Sequence, residues 1–178
     1  MIIYLEGPDG SGKSTLSNAI TEALVDYDMP VYQVKDGNCA INTHPKSSER
    51  NTLNELVLAM TTMAYDDDKI YVLDRGPISD IIYREFDNYE PVIRRGPLTS
   101  LLDAMIQNGK LIMIFCQTDL AEEKMLERGD DNPIAIKKHK EITMLYNQWK
   151  HIYDYLTYDY SKDNIDEFLD KMFEMLEV

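Results

Sequence analysis

The feature that most constrains this chain is Gly7-Pro8-Asp9-Gly10-Ser11-Gly12-Lys13-Ser14, a G-x-x-x-x-G-K-[ST] run set between an apolar stretch and an amphipathic one. Met1-Ile2-Ile3-Tyr4-Leu5 reads as a buried strand, and Leu16, Ala19, Ile20, Ala23 and Leu24 recur at the spacing of one helical face. Four fixed positions match by chance on the order of once in 10⁴–10⁵ starts, and the flanking strand and helix make coincidence rarer still. The glycines at 7, 10 and 12 let the backbone aim its N–H groups inward. The helix that follows adds unpaired donors and the positive end of its dipole. Such a loop binds phosphate. Ser11 and Thr15 fill it out, Lys13 offers a point charge to β- and γ-phosphates, and Ser14 offers a hydroxyl to Mg²⁺.

The rest of the chain alternates strand and helix. Strands are predicted at Val31–Val34, Lys69–Leu73, Leu111–Cys116 and near Tyr158–Tyr160. Helices are predicted from about Glu49 to Tyr65, from a Ser79 cap to Phe86, from Pro97 to Gly109 and from Asp119 to Arg128. A long helix carries Ile142, Tyr146, Trp149, Tyr153 and Leu156, and a last one carries Ile165 to Leu176. Nearly continuous apolar strands imply a parallel sheet covered on both faces. The expected fold is a three-layer αβα phosphate-loop domain of about five strands, spanning residues 1–178 as one unit. Ligands then bind at the carboxyl ends of the strands, where the loop at 7–14, Asp36, Asp74-Arg75 and Thr118-Asp119 all fall.

Charge narrows the function. The net charge of −14 opposes a polyanion, so no nucleic-acid partner is expected; a few arginines in a cleft still suit a small phosphorylated substrate. No run reaches a membrane span, and no secretion signal is read at the N-terminus. Cys39 and Cys116 form no metal-ligand spacing, and Cys116 lies in an apolar run, which reads as a core thiol in a reducing compartment. His44, His139 and His151 are scattered.

Three segments together are similar to the thymidylate kinase-like group of small-molecule kinases. Glu6-Gly7-Pro8-Asp9-Gly10-Ser11-Gly12-Lys13-Ser14-Thr15 resembles its opening loop, with an acid inside it. Asp74-Arg75-x₃-Ser79-x₃-Tyr83 resembles its D-R-Y-x-x-S-x-x-A-Y, and Asp119 to Arg128 to Tyr153 resembles its arginine-bearing lid and following helix. Gly76 stands where that pattern has an aromatic, Thr62 where it has a base-reading arginine, and Lys35-Asp36-Gly37 where it has Arg-Glu-Pro, which leaves the base open.

The resemblance implies a Mg²⁺- and ATP-dependent kinase that converts a dTMP-like deoxynucleoside monophosphate to the diphosphate for nucleotide biosynthesis. It also implies a homodimer in the cytoplasm, the host cytoplasm if the chain is viral. Asp74 would place Mg²⁺ with Ser14, and Arg75 would hold the acceptor phosphate through paired hydrogen bonds. Asp9 would accept from a sugar 3′-hydroxyl, while Ser79 and Tyr83 would line the acceptor pocket. Arg128, in a lid of about residues 128–138 with Lys137 and Lys138, would close over ATP. Arg94 and Arg95 are further candidates near the acceptor. Two other readings stay open. One is a deoxynucleoside kinase with Asp36 as base for the 5′-hydroxyl; the other is a nucleotide-binding module without turnover.

Overall fold

The first strand, β1 (Ile2–Glu6), is buried at every position because it has neighbours on all sides. It pairs in parallel with β3 (Ile70–Asp74) on one edge and with β4 (Leu111–Gln117) on the other. β2 (Val31–Lys35) lies beyond β3, and β5 (Leu156–Asp159) lies beyond β4. The order is β2-β3-β1-β4-β5, with every pairing parallel. The structure is a computed structural model that describes residues 1–35, 60–86, 95–119, 123, 126–127, 129, 133–150, 152 and 156–176. Within those, the side chains at 35, 80, 84–86, 95 and 133–137 are not described.

Helices cover both faces: α1 (Lys13–Asp26), α2 (Pro77–Phe86), α3 (Arg95–Gln107), α4 (Pro133–Lys150) and α5 (Ile165–Leu176), with residues 60–64 also helical. The period-2 alternation of the strands sorts the core into two halves. Ile2, Tyr4, Leu73, Met113 and Phe115 face Ile78 and Ile82 of α2, Leu102 of α3, and Tyr146 and Trp149 of α4. Ile3, Leu5, Val72, Ile114 and Cys116 face Leu16, Ile20 and Leu24 of α1 and Phe168, Met172 and Phe173 of α5. Each strand thus needs apolar residues at successive positions. This is the three-layer α/β arrangement expected from the sequence. Cys116 is a core residue as expected, and burial pushes its thiol up to about 12.

Two boundaries differ from the sequence reading. Leu156, placed there on the long helix, instead begins β5 opposite Ile114 of β4. The helix stops at Lys150, and the i+3/i+4 spacing of Leu156 beyond it is coincidental, since strand pairing is what buries it. Ser79 is not a helix cap, because α2 already starts at Pro77, a residue suited to a first helical turn. The helix expected from 119 to 128 is described as helical only at Glu123, Leu126 and Glu127. No helix among the described residues is long and apolar enough to cross a membrane.

The layering makes a stability contrast. Ile20 is fully buried between α1 and the sheet, whereas Met144 on α4 is 65 % exposed. Ile20→Ala is expected to lower unfolding free energy by about 2–5 kcal/mol, and Met144→Ala to change it by no more than about 0.5 kcal/mol. Urea titration of the two variants measures both; equal losses would contradict this packing.

Candidate active site

The glycine loop leaves the carboxyl end of β1 and runs into α1. Gly12 sits at its N-cap with φ 80°, and a Cβ there would come within 3.0 Å of the Tyr160 ring, so both conformation and space require glycine. Lys13 is 5 % exposed and folds back over the loop, donating from Nζ to the Pro8 carbonyl at 2.6 Å and to Ser11 Oγ at 3.3 Å. Burial, and then the charge of Arg75, lower its pKa to about 8. A cavity of about 160 Å³ is lined by residues 9–15 together with Asp74 and Arg75.

Asp74 ends β3, one strand from the loop, and Ser14 Oγ donates to its Oδ2 at 2.6 Å. Its other oxygen, Oδ1, is buried without a hydrogen-bond partner among the described residues. A buried acceptor left unpaired is costly. A carboxylate with one oxygen on a hydroxyl and one unpaired therefore suits a hydrated divalent cation of the Mg²⁺ type.

Arg75 faces the loop from the next residue. Its side chain is 12 % exposed. It ion-pairs with Asp9, donates from Nη1 to Tyr83 Oη at 3.2 Å and to Tyr146 Oη at 3.3 Å, and lies 5.3 Å from the Tyr83 ring centroid. Burial works against its charge. Tyr146, Tyr83, Asp9 and Glu6 outweigh burial and raise its pKa. Asp9 is likewise pushed up by burial, but Arg75, Tyr83 and Lys13 hold it below the usual carboxylate range. Tyr83 Oη donates to Asp9 Oδ2 at 2.8 Å, closing a three-residue cycle.

Behind this wall lies Glu6, on the same face of β1 as Tyr4 and 1 % exposed. It accepts from Tyr4 Oη and Ser79 Oγ, from the Ser79 N–H at 3.1 Å and from the Gly76 N–H at 3.2 Å. Tyr4 Oη accepts from the Ile78 N–H at 3.1 Å. The orphan donors at the start of α2 are thus met from β1. A Cβ on Gly76 would come within 2.8 Å of the Tyr4 ring. Tyr4 therefore fills the space that a side chain at 76 would need. Burial raises the Glu6 pKa despite these donors.

On the far side of the loop a second cavity, about 420 Å³, is lined by Gly10, Gly12, Thr15, Tyr158, Tyr160, Asp163 and Ile165. It is mostly apolar and continuous with the loop, a shape that suits a flat ring attached to loop-bound phosphates. Next in sequence to Asp163, Lys162 donates to Asp159 at 2.9 Å and to Asp119 at 2.8 Å. From α4, His139 Nε2 lies 2.9 Å from the Asp9 carbonyl oxygen, tying that helix to the loop.

The structure brings Lys13, Ser14, Thr15, Asp74, Arg75 and Asp9 to one cavity, with Tyr83 on its Arg75 side. Ser79, expected to line an acceptor pocket, is fully buried with its hydroxyl engaged by Glu6 and Tyr146. Asp36, Arg94, Arg128, Cys39, His44 and His151 lie outside the described residues, as do the side chains of Arg95 and Lys137. Sequence reasoning missed Glu6, Tyr146, His139 and the Tyr160–Asp163 cavity. Glu6 carried a signal, a carboxylate closing an otherwise apolar strand; Tyr146 carried none, since its spacing marks only a core stripe.

No protein-family model matches the chain, and no curated protein does. Solved structures do. YorR from Bacillus subtilis, solved in complex with phosphorylated GDP, is 22% identical with a TM-score of 0.69, covering 99% of this chain and 96% of its own. APE1195 is 15% identical with a TM-score of 0.56, covering 99% and 94%. At these identities the likeness establishes the fold.

The Lys13 environment sets a pH dependence. A bound phosphate favours the ammonium, while the free protein releases its proton near pH 8. Above that, binding must take up a proton, so affinity falls as pH rises. The Kd for ADP is expected to be flat between pH 7 and 7.5 and to weaken by up to about tenfold per unit above pH 8. Calorimetry in buffers of different ionisation enthalpy reads the proton uptake, and a Kd constant to pH 9.5 would contradict the assignment.

Proposed function

We propose that this protein transfers the γ-phosphoryl group of ATP, with Mg²⁺, to a deoxynucleoside monophosphate, forming the diphosphate. The observation that carries this reading is the position of Arg75. It lines the same cavity as Lys13 and Ser14, facing the phosphate loop, where it would meet a second anion. A protein that only bound a nucleoside triphosphate would need the loop but not that opposing guanidinium. The fold neighbour YorR, solved with phosphorylated GDP, supports a nucleotide in this cleft.

The geometry supports a role for each residue in such a transfer. The base of ATP would occupy the cavity between Tyr160 and Ile165, and its phosphates would follow the loop to Lys13. Ser14 and Asp74 would hold the cation, which when bound neutralises charge on the donor phosphates. Lys13 would turn from the Pro8 carbonyl to the transferring group. Arg75 would exchange its Asp9 carboxylate for the acceptor phosphate, and Tyr83, already on both residues, would remain at the acceptor sugar. The acceptor oxygen is anionic, so no general base is required. Transfer is positioning and charge neutralisation, without a covalent enzyme intermediate.

ADP release from Mg²⁺-ATP tests this, with dTMP, dGMP, dAMP and dCMP as acceptors beside thymidine. Stimulation by a monophosphate is expected. Arg75→Ala should lower kcat/KM for that acceptor by about 10²–10³-fold while leaving ADP binding nearly unchanged. Stimulation by thymidine alone would move the protein to the nucleoside kinases, and no stimulation by any acceptor would leave a binding module.

A further inference from the structure

Arg75 is held in an unusual way. Its φ of 73° lies in the left-handed region, rare for a residue with a side chain. Hydrogen bonds to β1 clamp it on both sides: its own N–H donates to the Leu5 carbonyl at 3.1 Å, and the Gly76 N–H donates to Glu6 Oε1 at 3.2 Å. Its guanidinium leads to the same carboxylate. Ser79 has one hydroxyl proton, and it goes to Glu6 Oε2. Ser79 Oγ must then accept from Tyr146 Oη, 2.6 Å away. The Tyr146 oxygen is thereby turned to accept from Arg75 Nη1 at 3.3 Å. The relay runs in one direction, from Arg75 through Tyr146 and Ser79 to Glu6.

We infer that Glu6 is a positioning residue for Arg75, acting on its backbone through Gly76 and on its guanidinium through Ser79 and Tyr146. An amide at position 6 has nearly the same shape, but only one oxygen. With that oxygen kept on the Tyr4, Gly76 and Ser79 donors, the NH₂ group faces Ser79 Oγ. The Ser79 proton then has only Tyr146 Oη left to receive it, and when it turns there the Tyr146 proton faces Arg75, donor against donor; otherwise it stays buried and unpaired. What Arg75 grips rests on the kinase reading; how Arg75 is held does not.

The experiment therefore has two arms on the whole chain. Nitrogen-15 spectra of the Arg75 guanidinium, assigned with Arg75→Lys, are expected to show hindered Nε–Cζ rotation in the wild type. That rotation should be clearly faster in Glu6→Gln and in Ser79→Ala, where Asp9 and Tyr83 are the remaining partners. Acceptor kinetics should show KM raised about tenfold or more in Glu6→Gln, with ADP affinity within twofold of wild type. In a Tyr146→Phe background, where the relay is already cut, Glu6→Gln should add little. The proposal is overturned if Arg75 rotates as slowly in Glu6→Gln as in the wild type, if ADP affinity falls with acceptor affinity, or if the Glu6 and Tyr146 effects simply add. Should Glu6→Gln not fold, Ser79→Ala reads the relay alone, since the backbone bonds to Glu6 survive. A wild type with no acceptor-stimulated turnover would remove the kinase reading, while the spectra still decide the role of Glu6.

Discussion

What the site depends on is that β1 is closed on every side. Its edges are hydrogen-bonded to β3 and β4, and its faces are covered by two separate halves of the core. A strand so fixed delivers three things from one short run of sequence. Its carboxyl end launches the phosphate loop, its Leu5 carbonyl and Glu6 carboxylate anchor the turn after β3, and its alternation decides which face each anchor meets. Glu6 follows Tyr4 by two residues, so it must point to the α2 and α4 side, where Arg75, Ser79 and Tyr146 are gathered. Shifting β1 by one residue would turn Glu6 into the apolar layer beneath α1 and leave the start of α2 without acceptors.

The electrostatics of the cleft run against the protein as a whole. In a chain of net charge −14, the cavity at the loop is lined by two cations, Lys13 and Arg75, and after burial the charge of Arg75 is what lowers the Lys13 pKa. Asp9 is the counterion of Arg75: it sits within the loop, half exposed, where on the proposed function the acceptor phosphate would replace it. Two carboxylates, Asp9 and Asp74, line the same cavity, so on the proposed reading a ligand phosphate would be met as Asp9 gives up Arg75 and a cation joins Asp74. On that reading the net charge of −14 would confine attraction to a small anion within the cleft, since a long polyanion would meet the acidic exterior.

Much of this was legible in the sequence, and the reason is local. The loop residues act through backbone amides and through side chains within one turn, so their spacing alone defines their chemistry. The strands declared themselves by continuous apolar composition, because a parallel sheet covered on both faces admits little else. Asp74 and Arg75 were readable as the polar end of such a strand. What was not readable is what depends on tertiary approach. Tyr146 looks like any core tyrosine until α4 brings its hydroxyl to Arg75. His139 gives no local sign that it reaches the loop. Ser79 was noticed for the wrong reason, as a pocket or cap residue, because a hydroxyl has no pattern that distinguishes solvent from a buried carboxylate. Leu156 continued a helical spacing past the point where the helix had ended.

The contact between Tyr4 and Gly76 has a consequence for how such a chain can change over time. The ring and the missing side chain share one small volume, although one belongs to β1 and the other to the turn between β3 and α2. An aromatic at 76 and an aromatic at 4 are alternative ways to occupy it, and both together do not fit. Neither position can drift alone: enlarging 76 demands that 4 shrink first, and shrinking 4 leaves both a void and an Ile78 amide without its acceptor. The two positions therefore behave as one: a larger residue after Asp74-Arg75 becomes admissible only in a chain whose fourth residue has given up its ring.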